Sequence, residues 1–331
     1  MPSPCATAPL PPPAPWLRHH PQQWQAGTLD ISALSADAHA LSQQPGFDLA
    51  LRHFALCWQQ GYDSSPLLNS VMRNNARYVL LLACLWLDHV RDPALPGVSV
   101  TPGRVLGFYE RIDRSLVVAG PSRIKTILGH VRAAGLLQPS ARTHVGDARK
   151  RPLEPTPALR QAMAAYVAGF LRGLTPVLPL PAAPEVMVTT PGFIGELCTY
   201  RLAALLHERF FINQGLPALT WVTNRDKGYP LLLCLVRHLS LQGDGTAQVA
   251  GVPQQMARIA GISRGTARNF LLGCIEHGWM VAGPDHSYTL QPVFVTQLMQ
   301  WMGREFVWMH TLACAAYAVC GDPERKRLPG S

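Results

Sequence analysis

Polar and apolar positions fall into helical periods along most of the chain, broken by proline, glycine and short alternating stretches. In the first half, NNARYVLLLACLWLDHV (74–90) is apolar nearly all round, which predicts a buried helix. TPGRVLGFYERID (101–113) and PSRIKTILGHVRAAG (121–135) predict two further helices. GLLQP and RPLEP then read as short strands either side of a polar loop, with PALRQAMAAYVAGF (157–170) as a trailing helix. The second half repeats this order. RDKGYPLLLCLVRHL (225–239) predicts an apolar helix, and MARIAGISRGTARNFLLGCIEHGWM (256–280) a helical hairpin. GWMVAG (278–283) and YTLQP predict strands around the turn DHS, followed by the amphipathic helix VFVTQLMQWMGREF (293–306).

Local echoes connect the halves: RYVLLLACL with GYPLLLCLV, AAGLL with EHGWM, and RPLEP with YTLQP. Their shared order points to an ancestral duplication. The proline-rich TPVLPLPAAPE (175–185) lies between the halves and reads as a linker. The expected organisation is a disordered proline-rich lead-in over 1–28, a first unit with flanking helices over 29–174, and that linker. A second unit with flanking helices follows over 186–320, then a flexible tail over 321–331.

The hairpin at 256–280 meets the steric demands of a helix-turn-helix. Two helices crossing steeply over a short turn need a small residue where their backbones approach and a turn residue that tolerates positive φ. Ala257 and Gly261 supply these, Met256, Ile262, Ala267 and Phe270 are apolar where a core is expected, and Pro253 opens the first helix. Ser263 is a good N-cap for the second helix. Ala267, Phe270, Leu271, Cys274 and Ile275 form its buried stripe. The opposite face carries Arg264, Gly265, Thr266, Arg268 and Asn269 and no acid. Arginine reads guanine and asparagine reads adenine through paired hydrogen bonds in the major groove, so this face is a candidate for base contact.

The first copy carries the matching stripe Ile124, Ile127, Leu128 and Val131, with Ser122, Arg123, Lys125, Thr126 and His130 on the other face. Alignment places Val118 at the turn glycine and Arg114 at the small alanine, and the connection IDRSLVVAG is longer than a tight turn. Charge favours this copy nonetheless. Residues 101–151 carry ten basic side chains against three acidic ones, whereas 252–291 carry three against two. The loop SARTHVGDARKR brings Arg142, Arg149, Lys150 and Arg151 as candidate phosphate or minor-groove contacts, and His286 sits in the second loop.

An element order of helix, helix, helix, strand, loop, strand, helix is that of a winged helix-turn-helix. The chain resembles the winged-helix domain of bacterial transcriptional regulators of the broadly MarR-like type, over about 225–305 and again over about 74–170. The resemblance implies a mainly α fold with small β-hairpin wings, two winged helix-turn-helix domains in tandem. It further implies sequence-specific binding of double-stranded DNA in the cytoplasm, without catalysis. Because such regulators commonly pair two chains, a chain with two units could act as a built-in pseudo-dimer. Plasmid replication initiators and a chromosome-segregation subunit related to condensin also carry tandem winged helices, and the latter uses them for protein contacts.

Composition agrees with a polyanion partner. There are 29 Lys and Arg against 20 Asp and Glu, a formal net charge of +9, and only four of the basic residues are Lys. Arginine-rich composition also follows from GC-rich coding, so the charge excess carries more weight than the arginine preference. None of the eight cysteines forms a C-x-x-C pair and no H-E-x-x-H occurs, so neither a metal site nor a cofactor is expected. His207-Glu208 and Cys274-x-x-His277 read as isolated structural contacts, and phosphate-binding glycine loops and nucleophile elbows are missing from the sequence. The first residues lack the charged and apolar regions of a secretory signal. The longest apolar runs, 78–87 and 306–320, fall short of a membrane span, so no membrane is expected among the partners. The aromatic and methionine residues of 294–309 suit a core or a homodimer contact through the terminal helices; a small-molecule effector pocket is the weaker alternative.

Overall fold

The computed structural model describes residues 31–63, 66–90, 100–112, 120–140, 152–207, 211–249, 252–284 and 287–321. Helix takes up 71% of them, with two small antiparallel sheets. The lead-in 1–28, Arg114, Val118 and all of the tail but Gly321 lie outside the described residues.

Among the described residues the first half has seven helices: α1 (Ile31–Ser42), α2 (Phe47–Asp63), α3 (Pro66–Val71), α4 (Asn75–His89), α5 (Pro102–Arg111), α6 (Pro121–Ala133) and α7 (Pro157–Leu174). Strands β1 (Leu137–Pro139) and β2 (Leu153–Pro155) lie between α6 and α7. The second half has α8 (Pro184–Thr189), α9 (Phe193–His207), α10 (Pro217–Asn224), α11 (Gly228–Arg237), α12 (Val252–Ala260), α13 (Arg264–Glu276) and α14 (Pro292–Gly321). Here β3 (Ser240–Leu241) and β4 (Ala247–Val249) precede α12, while β5 (Met280–Ala282) and β6 (Tyr288–Leu290) follow α13.

The halves agree down to single hydrogen bonds. α6 and α13 both end at a glycine in the left-handed region, Gly135 (φ 69°) and Gly278 (φ 70°). A residue with a Cβ is strained there, and the conformation turns two further amides back onto the last helical turn. Leu136 N donates to Val131 O (3.1 Å) and Trp279 N to Cys274 O (2.9 Å). Strand register also matches: Leu137 faces Pro155 as Met280 faces Leu290. Val100 bridges Leu153 as Val249 pairs with Tyr288, which adds a third strand position to each sheet.

α4 and α11 are apolar all round because both are core helices, with Val79–Leu85 and Leu231–Val236 buried throughout. α14 joins the two runs expected near 293–320 into one 30-residue helix, about 45 Å long, buried along most of its length. Among the described residues no helix is long and apolar enough to cross a membrane. The 175–185 stretch is packed in place, with Leu178 fully buried and Pro179 O 2.8 Å from His310 Nε2 on α14.

Candidate nucleic-acid interface

α12 and α13 form a tight hairpin. α12 ends at Ala260, and Gly261 then takes φ 60°, the conformation expected of the turn glycine. Ile262 N donates back to Ala257 O (3.0 Å), which closes the turn over the small residue. Ser263 caps α13 from extended backbone, its Oγ accepting from Thr266 N at 3.0 Å. Ala267, Phe270, Leu271 and Cys274 are buried, and Ile275 packs against the core from a half-buried position.

This arrangement exposes Arg264, Gly265, Thr266, Arg268 and Asn269 together on the first two turns. Among the described residues no carboxylate lies within ion-pair distance of Arg258, Arg264 or Arg268. The face therefore presents uncompensated cationic donors at a helix N-terminus, where backbone amides also favour an anion. Leu272 is exposed on the same helix and Val281 on the adjoining strand β5.

α6 places Ser122, Arg123, Lys125, Thr126 and His130 on its exposed face and buries the expected stripe Ile124, Ile127, Leu128 and Val131. Thr126 Oγ1 is committed as a donor to Ser122 O (3.0 Å), which leaves its lone pairs as acceptors. Gly120 takes the N-cap position with no side-chain cap. Arg142, Arg149, Lys150, Arg151 and His286 lie outside the described residues.

Two arginines join this surface that sequence reasoning missed. Arg77, on the first turn of α4, is held below its ordinary pKa, first by burial and then by the like charges of Arg73 and Arg123, with Asp226 opposing them. Arg73 Nε has no hydrogen-bond partner among the described residues, and Asp226 Oδ2 stands 3.8 Å away. Arg77 thus feels two guanidinium charges, Arg73 and Arg123, and one carboxylate, Asp226. Arg73 and Arg77 carry no motif in the local sequence, so only their nearness to Arg123 in space marks them.

Burial governs the thiols. Burial pushes the thiols of Cys84, Cys198, Cys234, Cys274 and Cys314 up to about 12, so they stay protonated at neutral pH. Among the described residues no group of three or more His, Cys, Asp or Glu could hold a metal ion. The aromatic and methionine side chains of 294–309 pack inside the chain, and Trp301 borders a small cavity of about 50 Å³ beside Tyr229 and Glu305. Compared with known proteins, the chain matches no family model, no curated protein and no solved structure.

Proposed function

We propose that the chain is a tandem winged-helix protein that binds double-stranded DNA sequence-specifically, as a bacterial transcriptional regulator. The observation that carries this reading is the α12–α13 hairpin, with its left-handed Gly261, its Ser263 cap and an exposed face bearing Arg264, Arg268 and Asn269 without an acid. In this reading α13 and α6 are recognition helices for the major groove, and the hairpins β5–β6 and β1–β2 are wings beside it. The net charge of +9 supports a polyanion partner.

A second reading draws on Leu272 and Val281, exposed apolar residues on the second unit, and on that unit's small charge excess. There the second unit contacts protein while the first binds DNA.

Titrating random duplex DNA at several salt concentrations tests the common part of both. Phosphate contacts give a log–log slope of about −0.9 per phosphate neutralised. Replacing Arg149, Lys150 and Arg151 together by Gln should flatten the slope by up to about three units. Undetectable binding at low salt would reject DNA as the partner, and an unchanged slope would remove the first wing from the interface.

A further inference from the structure

The halves are joined by exchange. α7 of the first half packs on α8 of the second, and α14 of the second packs on α1 of the first. Likewise α2 packs on α11, and α9 on α4. Each half's seventh helix thus meets the other's first, and each half's second helix meets the other's fourth. Polar contacts follow the same rule. Arg52 of α2 donates from Nη1 to Leu239 O just beyond α11 (2.8 Å), while Glu196 of α9 pairs with His89 at the end of α4 (2.9 Å). The exchange is close: a Cβ at Gly303 of α14 would lie 2.5 Å from Ala38 O on α1.

Units stacked head to tail make each contact once, whereas a two-fold axis makes each contact twice with the roles reversed. Near such an axis, equivalent segments must meet each other. They do. The segment that enters α4 meets the segment that enters α11. Lys227 N donates to Arg73 O (2.5 Å), and Asn74 Nδ2 donates to Asp226 Oδ1 (2.7 Å). α6 packs against α3 and α4, the two helices on either side of Arg73 and Asn74. A two-fold sets the equivalent helix, α13, on the other side.

We propose that a single chain binds one DNA duplex across an inverted repeat with two unlike half-sites, α6 reading one and α13 the other. This rests on the DNA-binding reading above. Direct repeats would present one recognition helix with its site reversed. The half-sites differ because the equivalent positions do: counted back from Gly135 and Gly278, Lys125 corresponds to Arg268 and Thr126 to Asn269. Arg and Asn make paired hydrogen bonds to guanine and adenine, whereas Lys is a point charge and Thr makes single bonds.

Selection from random duplexes with the full chain, followed by sedimentation of the complex, tests the proposal. The expected result is an inverted pair of dissimilar half-sites with one chain per duplex. Inserting five base pairs between the halves turns one of them by about half a helical turn, and affinity should fall by about tenfold or more. The double variant Lys125→Arg/Thr126→Asn changes only exposed positions, and should shift the α6 half-site toward that of α13. A direct repeat, a lone half-site or two chains per duplex would overturn the inverted-repeat inference while leaving DNA binding intact. So would a selected site that the double variant leaves unchanged. Absence of any binding would instead remove the DNA reading and this inference with it.

Discussion

Arg268→Ala and Asn269→Ala, made singly, separate a recognition helix from a core hairpin. Both residues are exposed on α13 between the buried Ala267 and Phe270, and no hydrogen bond or ion pair to either side chain occurs among the described residues. Their removal leaves the stripe and the Ser263 cap intact. Alanine is also the better helix former, so folding stability should stay within about 0.5 kcal/mol of the parent. In a chain of this size that corresponds to a melting shift of about 1–2 °C. Losing one paired base contact should cost about 1–3 kcal/mol on the preferred duplex, a weakening of about 5- to 150-fold. Fluorescence anisotropy against the preferred duplex, a scrambled one and a set of single base-pair changes reads this directly at fixed salt. A base contact relaxes preference at one position and leaves scrambled DNA little affected. A phosphate contact weakens both alike. If both variants bind both duplexes as the parent does, 256–280 is a core hairpin and α13 reads nothing.

Three further outcomes follow from the geometry. Ser263→Ala removes the acceptor for Thr266 N (3.0 Å) and should cost about 1 kcal/mol in urea unfolding; no loss would mean that the cap is not holding the helix start. Arg201→Met strands Glu305, which is 4% exposed and pairs with Arg201 Nη2 at 3.1 Å, and should cost about 3–5 kcal/mol. Adding Glu305→Leu should recover much of that, and a double variant as unstable as the single would refute the stranded-charge account. Burial, with the Arg73 charge, holds Lys227 down at about 8 against 10.5 for the free side chain. Between those values the unfolded chain keeps a proton that the folded chain has lost, so this lysine makes stability rise with pH across that window. Urea midpoints of parent and Lys227→Met at about pH 7.5 and about pH 10 should show the parent gaining on the variant as pH rises, and a flat difference would refute the shift.

Sequence reached the local elements because their causes are local. α4, α6, α13 and the strands around them lie within a few residues of where periodicity and caps place them, and Gly261 takes the positive φ that its place in the turn demands. The sequence pattern marks α14 as two runs, 293–306 and 306–320, and nothing local accounts for Gly303 in mid-helix. Packing explains it: the helix crosses the backbone of Ala38 there at a distance that leaves no room for a side chain. The β3–β4 hairpin was not expected, because two- and three-residue strands are too short to show alternation. Its signal was the turn, where Asp244 Oδ1 accepts from Thr246 N (2.9 Å) and Gly245 takes φ 80°. Lys227 at φ 62° carries no sequence signal, because its place depends on how one half meets the other; nor do Arg73 and Arg77 beside Arg123, which the packing of α6 on α4 brings near each other.

That junction also shows where the two halves differ. Glu305 is the fourteenth residue of α14, as Phe170 is of α7. In the first half Phe170 packs its ring 4.7 Å from that of Phe54 on α2; in the second, Glu305 pairs with Arg201 on α9. One helix contact is thus held by apolar surface and its counterpart by a buried ion pair. Apolar packing at such a place is commonly as stabilising as the ion pair or more so, since the pair must first offset the loss of hydration of two charges. The pair leaves Glu305 Oε2 without a hydrogen-bond partner among the described residues, as it does the neighbouring Trp301 Nε1 and Tyr229 hydroxyl. All three residues border the 50 Å³ cavity. That volume has room for a few water molecules, which unpartnered polar atoms would hold. The proposed two-fold is therefore broken inside the chain as well as on the exposed faces of α6 and α13. If those faces read DNA as proposed, an inverted repeat with identical halves would match neither α6 against α13 nor the unequal contacts that support them.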